Sequence, residues 1–160
     1  MKSLSATVWL LDEKGANVDT TASSGYTALY WAKTLDILTA LLGRGANPTP
    51  TDADYTPLMA QAIRGHVDNI TRLLQDPRVR ATIDLQTKGG STALHYGCYP
   101  RKDEALASSI VNLLLQTGAN PALTNDRRQM PLDFFRKFCP SHRVTNVLLE
   151  QFPAPIPPRH

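Results

Sequence analysis

Two pairs of soft ligands are the residues best suited to chemistry. His95-x-x-Cys98 and Cys139-x-x-His142 bring two imidazoles and two thiols at internal spacings that suit a tetrahedral zinc site or a reactive thiol. Asp52 and Asp54 form a close carboxylate pair, but on a predicted loop with no acid or base beside them, so a solvated surface charge is the simpler expectation. His66 follows Gly65 in a turn and reads as structural. No G-x-S-x-G, P-loop or H-E-x-x-H motif occurs. Two cysteines are too few for a disulfide scaffold and point to a reducing, intracellular setting, in which a buried thiol serves as a small hydrophobe.

The elements that would position these groups must come from one domain. The chain has 160 residues, 42% hydrophobic and 19% charged, an ordinary globular balance. It has no run of about eighteen apolar residues that would span a membrane and no secretory leader pattern. Residues 1–124 hold eleven Lys/Arg and eleven Asp/Glu, so the net charge of +3 lies entirely in residues 125–160. That bias is too mild for a nucleic-acid footprint, which needs a dense basic stripe.

The chain repeats itself. Gly15-Ala16-Asn17, Gly45-Ala46-Asn47 and Gly118-Ala119-Asn120 match, with first glycines 30 and 73 residues apart. Alternating with them are Thr27-Ala28-Leu29-Tyr30, Thr56-Pro57-Leu58-Met59, Thr92-Ala93-Leu94-His95 and a weaker Met130-Pro131-Leu132-Asp133, at steps of 29, 36 and 38 residues. Each threonine reads as a helix N-cap, and Pro57 and Pro131 stand at the first helical position, where no N–H is needed. A short helix of small residues follows. After a turn comes a longer helix with apolar residues at helical spacing: Leu35, Leu38, Leu41 and Leu42; Val67, Ile70, Leu73 and Leu74; Ile110, Leu113 and Leu114; Val144, Val147 and Leu148. Gly45 and Gly118 stop the longer helices.

This grammar resembles the ankyrin repeat, whose consensus D-x-x-G-x-T-P-L-H-x-A…G-H…L-L-x-x-G-A recurs about every 33 residues. The match rests on Gly25-Tyr26-Thr27-Ala28-Leu29, on Tyr55-Thr56-Pro57-Leu58 with Gly65-His66, on Gly90-Ser91-Thr92-Ala93-Leu94-His95, and on the Gly-Ala-Asn tripeptides. It implies an all-α ankyrin-repeat solenoid of stacked helix-turn-helix units with short hairpin-like loops. The domain spans 1–151: a partial unit over 1–21, then units over about 22–50, 51–86, 87–124 and 125–151. A proline-rich tail or linker, 152–160, contains Pro155-Ile156-Pro157-Pro158, which fits a P-x-x-P ligand.

The departures from the repeat are also expectations. The first full unit is about three residues short at Ala32-Lys33-Thr34-Leu35. The second carries a longer loop at Asp76-Pro77-Arg78-Val79-Arg80, and the third has about five extra residues around Tyr99-Pro100-Arg101-Lys102-Asp103. The N-terminal Ala6 to Leu11 resembles only a second helix, so the chain reads as cut from a longer protein, with Val8, Trp9 and Leu10 poorly covered.

The resemblance implies protein binding without catalysis, metal or cofactor. It places His95 at the repeat's own histidine position, where the ring bonds neighbouring backbone, and Cys98 at a buried small position. Residues just before each threonine, and at the end of each first helix, would line a concave face. Carried over by register, these are Tyr26 and Lys33 with Ser23 and Ser24; Asp52, Tyr55 and Arg64; Lys88, Ser91, Tyr99 and Arg101; and Arg127, Gln129 and Lys137 with Asp126. Tyrosine and arginine are favoured at interface hot spots. The expectation is a monomer binding another protein, with no nucleic-acid partner and no membrane insertion. The alternatives are a targeting domain of a larger enzyme or of a bacterial effector acting in the host cytosol, and a zinc or thiol site at His95, Cys98, Cys139 and His142.

Overall fold

Thr34, Thr56 and Thr92 start helices because their extended backbone leaves the hydroxyl facing the first free N–H groups. The structure, a computed structural model, describes residues 2–49, 54–99 and 103–133. Eight helices have both ends within those residues: α1 (Lys2–Asp12), α2 (Ala28–Trp31), α3 (Leu35–Gly43), α4 (Pro57–Arg64), α5 (Val67–Leu74), α6 (Pro77–Ala81), α7 (Ala93–Gly97) and α8 (Glu104–Gln116). Residues 131–133 are helical as well. The described residues contain one isolated antiparallel bridge, Thr21 with Thr27.

The helices form two layers. The short α2, α4 and α7 pack side by side as an inner row, and α1, α3, α5 and α8 as an outer row, each inner helix also packing on the outer helix that follows it. No unit buries its apolar face alone, and neighbours supply the missing wall. Leu29, Leu58 and Leu94 of the inner helices meet Leu38, Leu41, Ile70, Leu73, Ile110 and Leu114 of the outer ones in one core. Leu35, Val67 and Leu113 are the partial exceptions to the sequence stripes, Val67 being half-buried against the core. Leu35 is 41% exposed at the first turn of α3, and Leu113 is half-buried against the core. The stripe Val144, Val147 and Leu148 lies outside the described residues.

The loops repeat as closely as the helices. Ala22, Thr87 and Asn125 each donate their N–H across a tight turn, to the carbonyls of Tyr26, Ser91 and Gln129 respectively. The turn takes a left-handed residue in each case: Gly25, Gly90 and, where glycine is missing, Arg128 at φ 58°. The Gly-Ala-Asn tripeptides make a second recurring device. Asn17, Asn47 and Asn120 accept from the N–H two residues on, an Asx turn. The N–H of Asn47 also donates to Asp19 (2.8 Å) and that of Asn120 to Asp84 (2.9 Å), so these two tripeptides are tied to the unit before them.

Two departures resolve differently from the sequence reading. The stretch 76–80 is not a longer loop but contains most of α6. Asp76 accepts from the Arg78 N–H at 2.9 Å as its N-cap, Pro77 takes the first helical position, and Val79 turns into the core. In the shortened first unit α2 is a single turn, which leaves the Ala32 carbonyl inside the stack. The buried amides of Gln61 (3.1 Å) and Asn69 (3.4 Å) reach over from the second unit to donate to it. Gln61 therefore occupies what the sequence presents as a run of small residues.

Candidate functional site

Three of the inner-helix signatures begin with threonine and diverge at their fourth residue. In the third unit that residue is His95, whose side chain is 0% exposed. Its Nδ1 accepts from the Thr92 N–H (3.1 Å) and faces the Thr92 hydroxyl at 2.9 Å. Its Nε2 therefore carries the proton and donates to the Gln129 carbonyl at 3.0 Å in the next unit. Burial holds this imidazole below the ordinary histidine value, so it is neutral. In the second unit Met59 substitutes a thioether: the Thr56 N–H points to its sulfur at 3.4 Å, and the Thr56 hydroxyl accepts from the Met59 N–H at 3.2 Å.

The first unit has Tyr30 instead, and the cap is not made. Thr27 has the extended backbone of an N-cap, but its hydroxyl is buried with no hydrogen-bond partner. The phenol ring leaves the cap and stacks on Tyr26, with centroids 4.0 Å apart and planes 19° from parallel. Trp31 stands perpendicular to both, 6.2 Å from Tyr26 and 5.0 Å from Tyr30, and is 51% exposed. Arg64 comes across from the end of α4. Its Nη1 donates to the Tyr30 carbonyl at 2.6 Å, and its guanidinium carbon lies 4.9 Å from the Tyr30 ring centre and 5.5 Å from that of Trp31.

A second aromatic pair continues the surface. Tyr55 and Tyr96 lie 5.4 Å apart with planes tilted by 47°. A hydrogen bond with the Tyr96 hydroxyl, followed by burial, pushes the Tyr55 phenol well above its ordinary value. Burial first, then the neighbouring Tyr30, Asp54 and Tyr96, raise that of Tyr26.

The remaining expected contact residues divide by exposure. Lys33, Lys88, Arg127 and Tyr99 are exposed, the last by 50%. Gln129 is half-buried, and its carbonyl receives His95. Ser91 is only 8% exposed, folded into its own hairpin with its N–H on Thr87, so it offers little to a partner. Asp52, Arg101 and Lys137 lie outside the described residues, as do Ala53 and the tail. Sequence reasoning passed over Tyr30, Trp31 and Tyr96. The signal available for them was a run of aromatics on first helices where smaller residues stand in the second unit.

The soft-ligand pairs find no support as a metal centre. Both ring nitrogens of His95 are engaged by the cap and by Gln129, and Cys98 is fully buried. Cys139 and His142 lie outside the described residues. His66 is structural: its Nδ1 lies 2.8 Å from the Gln61 Oε1, beside the amides that receive the Ala32 carbonyl. Burial, then the charge of Arg64, hold its imidazole below the ordinary value. No helix of the described residues is long and apolar enough to cross a membrane.

A family model described as ankyrin repeats (three copies) matches residues 32–125, more than half of the chain. No curated protein matches it. With the Thr-capped inner helices, the stacked outer helices and the Gly-Ala-Asn ties in register, the chain belongs to the ankyrin-repeat family, whose repeats generally mediate protein–protein interaction.

Proposed function

We propose that the chain is a non-catalytic module that binds a partner protein through the concave face built from its hairpin tips and inner helices. The energetic centre is the cluster of Tyr26, Tyr30, Trp31 and Arg64, extended by Tyr55, Tyr96 and Tyr99 and flanked by Lys33 and Lys88. The observation that carries this reading is Trp31, a large rigid ring held edge-on to two stacked tyrosines yet half open to solvent. Tryptophan, tyrosine and arginine dominate interface energetics because they bury much area at little conformational cost. Arg127 and Gln129 mark the far end of the same face, and register assigns Asp52, Arg101 and Lys137, outside the described residues, to it as well. A monomer in a reducing compartment suits the buried thiol of Cys98.

Trp31→Ala tests the reading. Its ring makes surface contacts, so the melting temperature is expected to stay within a few degrees of the parent, while capture of the partner falls by about thirtyfold or more. Unchanged capture by a folded Trp31→Ala protein would remove the cluster from the interface. Tyr55→Ala is a poorer probe, because Tyr55 packs on the core and bonds to Tyr96, and its loss disturbs folding as well as binding.

A further inference from the structure

One group on this face is fixed in place before any partner arrives. Arg64 has its guanidinium against the rings of Tyr30 and Trp31, and one N–H tied to the Tyr30 carbonyl. A planar fork held in this way loses little freedom on binding. The tie engages Nη1. Nε and Nη2 have no acceptor among the described residues. The ion pairs among the described residues are Arg44 with Asp12 and Arg78 with Asp76, neither of which involves this face. Lys33 and Lys88 are exposed. Asp54 accepts the backbone N–H of Lys88, Asp68 lines one groove with Lys33, and Asp126 is exposed at the fourth hairpin. Arg64 thus meets no carboxylate of this chain among the described residues, which leaves Nε and Nη2 for an acid from outside.

We infer that Arg64 is a preformed carboxylate receptor, and that the partner presents an aspartate or glutamate next to an apolar side chain that covers Trp31. This rests on the face proposed above and names what it recognises. An ionised carboxylate accepting from Nε and Nη2 makes charge-assisted hydrogen bonds of the strong class. The half-exposed Trp31 beside it supplies apolar area that excludes water from them. A proline-rich segment would use the rings and leave the fork idle.

The test is selection of random linear peptides displayed on phage against the folded protein, with affinities of the selected peptides measured by fluorescence polarisation. The expected binders carry Asp or Glu adjacent to an apolar residue. Arg64→Lys keeps the charge and loses the fork, and weakens them by roughly tenfold. Arg64→Gln keeps donors for the Tyr30 carbonyl but no charge, and weakens them at least as much. Replacing the peptide's acid by its amide gives a similar loss that is not additive with Arg64→Lys. Circular dichroism melts confirm that both variants fold. Binders that lack an acid, or that bind Arg64→Lys as tightly as the parent while failing on Trp31→Ala, overturn the carboxylate receptor and leave the face standing. Binders indifferent to both positions, or a selection that yields none, overturn both.

Discussion

The first and third units begin their inner helices with Thr27-Ala28-Leu29-Tyr30 and Thr92-Ala93-Leu94-His95, and use them to different ends. In the third, the imidazole is buried, closes the cap on Thr92 and fastens the next unit through Gln129. In the first, the phenol is withdrawn from the cap, Thr27 is left with a buried hydroxyl that bonds to nothing, and the ring becomes the floor of an aromatic surface. A buried unpaired hydroxyl costs about 1–3 kcal/mol, which the third unit does not bear. The difference teaches that one side chain of the repeat template decides whether the inner helix is tied to its own cap and the next unit or gives its ring to a surface cluster.

The hairpin glycines give the largest expected contrast. Gly25 and Gly90 have nearly the same left-handed φ, +78° and +75°, but a Cβ on Gly25 would meet nothing within 4 Å. A Cβ on Gly90 would lie 2.9 Å from the backbone of Asn125 and of Asp126 in the next unit. Gly25→Ala is expected to cost about 1 kcal/mol, for its φ alone. Gly90→Ala is expected to cost about 3 kcal/mol, because backbone must also move. Chemical denaturation of both variants measures the gap; equal costs would mean that the third hairpin is not packed on the fourth.

The caps themselves give the next contrast. Thr92→Val removes a hydroxyl that serves both the helix and His95, and is expected to lose about 1–2 kcal/mol. Thr27→Val removes one that serves neither, and is expected to be neutral or to gain up to about 1 kcal/mol. A loss at Thr27 as large as that at Thr92 would show that the first cap is made after all.

The smallest effect is in pH dependence. Burial keeps His95 and His66 neutral when folded, below the ordinary value of 6.5 that they regain on unfolding. As pH falls through that value the unfolded chain takes up protons first, so stability is full above about pH 6.5 and declines below it. His95→Gln is expected to flatten this decline and leave the part due to His66. A slope unchanged by that substitution would place the His95 ring in solvent.

The stacked units were legible because their signals are local and redundant: a threonine, a glycine and an apolar stripe recur in one order. The helix α6 was also present in the letters Asp76-Pro77, a cap and a first-turn proline, but masked by the expectation of a loop. What could not be read were events between units. Gln61 and Asn69 reach the Ala32 carbonyl 29 and 37 residues back, and only the shortened α2 makes that carbonyl need them. The surface was half legible. Tyr26, Tyr55 and Arg64 follow from register. The clustering of Tyr30 and Trp31, on which the proposed binding role rests, does not, since it depends on a phenol leaving the position where the repeat keeps its histidine.

Tyr30→His tests the central claim on one sample. Restoring the imidazole gives Thr27 the partner that Thr92 has and takes the floor out of the aromatic cluster. The account predicts a higher unfolding free energy, by about 1 kcal/mol, together with weaker binding of the selected acidic peptides. A variant that unfolds more easily than the parent, or that binds those peptides as tightly, would contradict it.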